Sequence, residues 1–386
     1  MSAGAEILRT LTLRAVDAFV FRAPIETPVQ TSFGLMTDRP MVLVRVTDED
    51  GHIGWGEAWC NFPQVGAEHR ARIVEQLLAP IATAQPFATP QALFSHLSRR
   101  TEILALQSGE PGPFAQTIAA IDTAAWDLVA RRAGLPLWRL LGGSHSRIGV
   151  YASGLNPTSP ERLALERRAE GHRAFKLKIG FGQARDLANL QALREALGAD
   201  TMLMVDANQA FGLDEAIHYL KLIKPFNLEW LEEPLRADRP WSEWLRLHAH
   251  GPIPLAGGEN VAGDTAFDTA LDAGAFDIVQ PDLAKWGGIS GCAPLVARIE
   301  SAGRRYCPHF LGGGIGLLAS AHLLTLGKGD GLLEIDSNPN PLRSGLEGPL
   351  AKIDEGRVEL GDAPGLGVEV DLEALARFRV AHRYGG

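Results

Sequence analysis

Seven ionisable residues recur along the chain at a nearly constant interval: Lys178, Asp206, Glu232, Glu259, Asp282, His309 and Glu334. The spacings are 28, 26, 27, 23, 27 and 25 residues. Each closes a short β-rich run: AFKLKIG, LMVDAN, LEWLEEP, LAGGEN, DIVQPDLAKWGG, RYCPHF and LLEID. A single carboxylate after a strand is ordinarily a helix N-cap or a solvated loop residue. A succession of ionisable groups gathered in one place is different, because burying many charges is costly without mutual pairing or a metal. Asp206, Glu232 and Glu259 end three consecutive runs. Three hard oxygen donors with no Cys or His beside them suit Mg²⁺ better than Zn²⁺. Glu233 cannot point inward beside Glu232 without distortion, so it is expected behind the cluster or in solvent.

The remaining residues read as acids and bases. Lys176 and Lys178 lie two apart on one strand and therefore face the same side. Two ammonium groups so close, partly buried, are expected to lower each other's pKa, which would make a general base near neutral pH. Asp282 and His309 end neighbouring runs, and a carboxylate beside an imidazole fixes its tautomer and raises its basicity. Glu334 is expected across the mouth from the carboxylates, where in its protonated form it could donate a hydrogen bond to a substrate oxygen. A site in which a metal holds a carboxylate between Lys178 on one face and His309 on the other would let one of these bases remove the proton α to that carboxylate, with the enediolate stabilised by the metal and a donor.

The spacing is the length of one βα unit. With IGVYASG ahead of the seven runs there are eight strands, each but the last followed by helical sequence. Eight parallel strands at this period close into a TIM-like barrel of the (β/α)7β type, whose active site lies at the C-terminal strand ends. No sequence self-similarity accompanies the period, so the chain is not a repeat array. The barrel is assigned to residues 141–342. Residues 1–140 read as an N-terminal α+β capping domain. MVLVRVTDEDGHIGWGEAW alternates on both sides of Asp50-Gly51 as a hairpin, and residues 67–141 turn helical, most clearly in TIAAIDTAAWDLVARRAG. The tail, 343–386, contains the strand-like runs RVEL and LGVEVD and is expected to pack back on the cap and complete it.

Residues 24–40 (PIETPVQTSFGLMTDRP) read as a long loop and a candidate lid, together with residues 60–63. These segments mix Phe33, Leu35, Met36 and Phe62 with Gln30, Thr31, Ser32 and Asn61. A polyhydroxylated substrate would ask for more hydrogen-bonding partners than that. Two other motifs carry less. His248-Ala-His250 resembles a metal-binding pair but follows a helical run, which places it on the surface. Gly312–Gly314 with Gly316 lacks the Lys-Ser/Thr of a phosphate loop and reads as close helix packing after the seventh strand.

Composition bounds the rest. With 386 residues, 46% hydrophobic and 22% charged, the chain is globular and long enough for a large barrel with an attachment. A net charge of −9 gives no electrostatic support for binding nucleic acid. Three cysteines argue against a disulfide framework and for a reducing compartment. The start has no apolar signal-peptide core, and the longest mostly apolar run, 315–326, is too short to cross a bilayer. A cytoplasmic protein without a membrane role is expected.

FKLKIG, VDAN, EEP, GGEN, QPDLAKWGG, CPHF and LEID, in this order, with GWGEA ahead of them and PGLGVEVD behind, resemble the enolase superfamily in its mandelate racemase subgroup. The resemblance extends over nearly the whole chain. It implies that Asp206, Glu232 and Glu259 bind Mg²⁺, that Lys178 and the Asp282–His309 dyad are the acid/base catalysts, and that Glu334 polarises the substrate carboxylate near Lys176. Muconate-lactonising relatives carry a catalytic lysine at the end of the sixth strand. Asp282 stands there in this chain, with Lys285 three residues on, which departs from the cycloisomerase pattern. The implied activity is dehydration of a sugar acid or similar hydroxy-carboxylate, with racemisation or epimerisation of a 2-hydroxy acid as the alternative. A catalytically silent barrel serving as a binding module is the third reading, and the intact set of ligands and bases speaks against it. The expected partners are a small hydroxy-carboxylate substrate and further copies of the chain in a homo-oligomer.

Overall fold

The computed structural model describes residues 10–30 and 34–381. Three strands, β1 (Leu13–Gln30), β2 (Leu35–Asp48) and β3 (Ile53–Ala58), form an antiparallel meander. Along β2 the side chains alternate between two cores. Val42, Val44 and Val46 face the helices of the cap, whereas Met41 and Leu43 join the core continuous with the barrel. The helix Pro111–Ala133 covers the first face and stops at Gly134, which takes the left-handed conformation (φ 66°). Its approach is close enough that β3 needs glycine: a Cβ on Gly56 would lie 2.0 Å from the Ala120 carbonyl oxygen.

Eight parallel strands follow: β4 (Arg147–Leu155), β5 (Ala174–Lys178), β6 (Met202–Asp206), β7 (Leu231–Glu232), β8 (Leu255–Gly257), β9 (Ile278–Val279), β10 (Arg305–Tyr306) and β11 (Leu332–Asp336). They run in the order β10-β9-β8-β7-β6-β5-β4-β11, a nearly closed barrel of the enolase type. At the seam Leu332 N approaches Cys307 Sγ at 3.4 Å, and a Cβ on Gly331 would lie 2.3 Å from the Tyr306 carbonyl oxygen. Tyr151, Met204, Trp230, Ile278 and Cys307 pack together as a separate buried cluster of barrel-strand residues.

Two expectations are corrected. Residues 24–40 are not one long loop, because β1 and β2 continue their pairing to Gln30 opposite Leu35, with a register shift between Pro24 and Val29. Residues 31–33, including Thr31, Ser32 and Phe33, lie outside the described residues. In the tail, RVEL supplies β12 (Arg357–Glu359), which pairs with β4 of the barrel and not with the cap. LGVEVD forms no strand; it lies on the helix Pro111–Ala133 through Leu366 N donating to Asp127 and Arg131 donating to the Val368 carbonyl. The strand that joins the cap sheet is β13 (Arg379–Val380), antiparallel to β1. Among the described residues no helix is long and apolar enough to cross a membrane.

Candidate active site

The barrel brings the sequence-derived residues to one mouth. Lys176 is fully buried in the middle of β5, with Nζ 2.5 Å from Glu232 Oε1, 2.8 Å from Glu334 Oε1 and 3.8 Å from Asp206 Oδ2. Lys178, one pleat further on, places Nζ 2.5 Å from Asp206 Oδ2. Asp282 Oδ2 and His309 Nδ1 are 2.7 Å apart, and His309 Nε2 reaches Glu259 Oε2 at 2.7 Å. Ser153 Oγ donates to Glu334 Oε1, while Glu334 Oε2 is buried without a hydrogen-bond partner among the described residues.

Above this floor lies a cavity of about 260 Å³ lined by Lys178, Glu259, Lys285 and His309 from the barrel and by Trp59 and Phe62 from the cap. The cap segment is fixed to the barrel rim by Asn61 Nδ2 donating to the Leu311 carbonyl (2.6 Å) and Trp59 N to the Ala284 carbonyl (3.4 Å). Gln64 bridges to the hairpin through Thr37 Oγ1 at 3.1 Å.

Electrostatics here differ from the expectation for the two lysines. Burial pushes the Lys176 and Lys178 ammonium groups down, but carboxylates outweigh it: Glu232 and Glu334 hold Lys176 well above its ordinary value, and Asp206 raises Lys178. Glu334 is pushed up by burial yet ends below its ordinary value because Lys176 and His309 stand beside it. As the structure stands it accepts from Ser153 and Lys176, and the donor role open to its protonated form requires it to take up a proton. Burial opposes the charge on His309, and Glu259 with Glu334 overrides it, holding the imidazole well above its usual pKa. Burial raises Glu232 to about 7 despite Lys176 beside it.

Asp206 and Glu232 end β6 and β7 and Glu259 lies two residues beyond β8, but a histidine does stand beside them, contrary to the expectation. Each carboxylate is turned to its own cation: Lys178, Lys176, and Lys285 with His309. Their oxygens accordingly do not converge within 4.8 Å; among the described residues only Asp48, Asp50 and His52 do so. That trio is the β2–β3 turn, where Asp48 Oδ1 accepts the N–H groups of Asp50 and His52. The chemistry of the barrel set nevertheless fits a hard dication. It offers three carboxylates oriented by Asn208, by Gln280 and Trp230, and by Asn260. Glu233 is buried behind them at φ 38°, the distortion its position demanded, with both oxygens on Asn260 Nδ2.

Several residues were not found by reading the sequence as chemistry. Trp59, Ser153, Gln280 and Asn260 neighbour the chosen residues, and only their place inside the quoted motifs could have flagged them. Glu57, from GWGEA, reaches across the domain joint to accept from Gly313 N (2.5 Å) and Gly316 N (3.0 Å). This explains the glycine run: a Cβ on Gly313 would lie 3.0 Å from both Glu57 carboxylate oxygens and 2.4 Å from Met41 Sδ. His248 is a surface residue paired with Asp277 at 2.9 Å, and His250 is exposed.

Known proteins place this geometry in a family. Residues 15–142 match the mandelate racemase / muconate lactonizing enzyme N-terminal domain, and residues 161–375 match the enolase C-terminal domain-like family. The chain is 32% identical over 390 residues to D-galactarolactone cycloisomerase of Agrobacterium fabrum, covering 96% of this chain and 99% of the relative. It is 30% identical to the L-talarate/galactarate dehydratase of Salmonella typhimurium, over 94% of this chain and 90% of the relative. A solved mandelate racemase/muconate lactonizing enzyme from Bordetella bronchiseptica superposes with a TM-score of 0.91 at 56% identity, covering 96% and 99% of the two chains. A Bradyrhizobium enolase solved with magnesium and mandelic acid superposes with a TM-score of 0.83 at 28% identity, over 97% and 100%. The chain belongs to the mandelate racemase/muconate lactonizing enzyme family of the enolase superfamily.

Proposed function

We propose that the protein removes the proton α to the carboxylate of a hydroxy acid in a Mg²⁺-dependent reaction, with dehydration of a sugar acid as the net outcome. The observation that carries this reading is the joint presence of Lys178 and the Asp282-paired His309 on one cavity, above Lys176 and Glu334. Asp206, Glu232 and Glu259 are the residues that would hold Mg²⁺, whose charge would lower the cost of a second negative charge on the substrate carboxylate. Lys176 binds that carboxylate through its ammonium group, and Glu334 does so as a hydrogen-bond donor once it has taken up a proton. Lys178 Nζ, once its pairing with Asp206 is released, takes the α-proton, and the C–H electron pair passes into the carboxylate as an enediolate. His309 Nε2–H gives its proton to the β-hydroxyl as the C–O bond breaks, so water leaves and the enol tautomerises to a 2-keto acid. Dehydratases among the relatives support this outcome.

Racemisation or epimerisation is the second reading. It is favoured by the same pair of bases on one cavity, which could return a proton to the opposite face. The reaction is read as cytoplasmic, in keeping with three buried free thiols.

Mono- and di-acid sugars incubated with Mg²⁺ in D₂O should give α-deuteration and keto-acid formation by NMR. Glu232→Gln should abolish both while leaving the melting temperature close to wild type. Turnover that survives exhaustive chelation would overturn the reading.

A further inference from the structure

Lys285 is the cation of the cavity with no part in the proposed chemistry, yet it touches every layer of the site. Its backbone N–H donates to Asp282 Oδ1 at 3.2 Å. Its Nζ lies 2.9 Å from Glu259 Oε1 and 3.1 Å from Asn260 Oδ1. The same Nζ sits 4.9 Å from the ring centroid of Trp59, a capping-domain residue that touches none of the three carboxylates by any hydrogen bond. An ammonium over an indole face is attracted by the ring quadrupole, more strongly where water is excluded. Lys285 is largely buried, so Trp59 restricts where its charge can go.

Glu259 has two oxygens with different partners. Oε1 is held by Lys285 and by Asn260 Nδ2, whereas among the described residues Oε2 meets only the His309 imidazole. Oε2 is thus the oxygen the barrel offers, and Lys285 fixes the plane in which it is offered. Loss of a group that holds a ligating carboxylate in this way typically costs about 10–100-fold in metal affinity.

We propose that Trp59 and Lys285 are positioning residues for Glu259, so that the capping domain takes part in binding the dication. This rests on the reading of Glu259 as a metal ligand. Because coupling between two sites is reciprocal, seating the metal tightens the cap segment at Trp59 as much as that segment favours the metal.

The experiment is calorimetric titration of the metal-free full-length enzyme with Mg²⁺ alone, for wild type, Lys285→Met, Trp59→Leu and the double variant. Lys285→Met should weaken Mg²⁺ by about tenfold or more. Trp59→Leu should weaken it by a smaller factor, and the double variant should be no worse than Lys285→Met, because Trp59 acts only through Lys285. Lys285→Arg and Trp59→Phe, which keep the charge and the aromatic face, should recover most of the affinity. Hydrogen exchange supplies a readout that a purely structural role would not move: Mg²⁺ should protect amides of residues 59–64 in wild type but not in Lys285→Met. Unchanged or tighter Mg²⁺ binding in Lys285→Met would overturn the proposal, since Lys285 would then be a bystander or a competitor for Glu259. Additive losses in the double variant would remove Trp59 from it. If Glu232→Gln binds Mg²⁺ as wild type does, the metal site itself is misread, a result distinct from either of these.

Discussion

At the scale of residues, the site turns on two proton carriers whose charge is set by their neighbours. Lys178 and His309 are both held protonated by carboxylates: Asp206 for the first, Glu259 and Glu334 for the second. Each becomes a base only when that partner is drawn elsewhere, so strand spacing alone could not reveal their state. Adjacency of two lysines suggested lowered pKa values, but the acids opposite decide the sign. The dyad gives a direct test. Asp282 reaches His309 Nδ1, which presents Nε2 to the cavity. Asp282→Asn should keep the fold, lower the basicity of His309 and shift the limb of the pH–rate profile that reports it; an unchanged profile would separate the two residues functionally. His309→Asn should cut net turnover by about 10²–10⁴-fold, the range for loss of a general acid or base. If Lys178 starts the reaction, α-proton exchange in D₂O should persist in that variant. Loss of all exchange, with metal still bound, would show that Lys178 is not an independent base.

At the scale of elements, what could be read in advance was whatever repeats. The βα period gave the barrel strands because each inward-facing strand end must carry a group that tolerates burial at the mouth, and those groups stand out. The cap was legible where apolar runs flank a turn signal, as in β2 and β3 on either side of Asp50-Gly51. It was not legible in residues 24–40, where prolines imitate a loop although the hairpin continues across a register shift. Nor was the pairing of β12 with β4 legible, because a three-residue strand carries no signal of its partner. Glycines in β3 illustrate a constraint that only packing exposes. Gly56 reads as a strand weakener, yet the Ala120 carbonyl stands where its Cβ would be. Gly56→Ala should therefore destabilise the cap by about 1–3 kcal/mol, the cost of overpacking. Gly212→Ala, at a position with a negative φ and no atom within 4 Å of the added Cβ, should be nearly neutral. Equal urea midpoints for the two variants would show that the helix Pro111–Ala133 can shift without cost.

At the scale of the whole molecule, cap and barrel are joined by two buried carboxylates that the cap sends to the starts of barrel helices. Glu57 accepts from Gly313 and Gly316 at the start of the helix Gly314–Leu324. Asp122 accepts from Ser290 N (2.8 Å) and Ser290 Oγ (2.5 Å) in the first turn of the helix Gly288–Ser301. Backbone N–H groups at a helix start favour negative charge. Burial favours the neutral acid and prevails in both, raising Glu57 and Asp122 to about 7. The consequence for stability has a definite sign. Below the ordinary carboxylate range both folded and unfolded forms are protonated, and the joint is at full strength. Between that range and about 7 the unfolded chain ionises while the folded one keeps its protons, so stability falls as pH rises, and above about 7 it levels off. The loss is on the order of 3 kcal/mol for each group. Glu57→Gln and Asp122→Asn keep the size of each side chain and remove the titration. The stability difference between wild type and the double variant, followed by urea denaturation from pH 5 to 8, should therefore move against wild type as pH rises. A difference that moves toward wild type instead would mean that the helix starts outweigh burial and that the joint is made of ionised carboxylates.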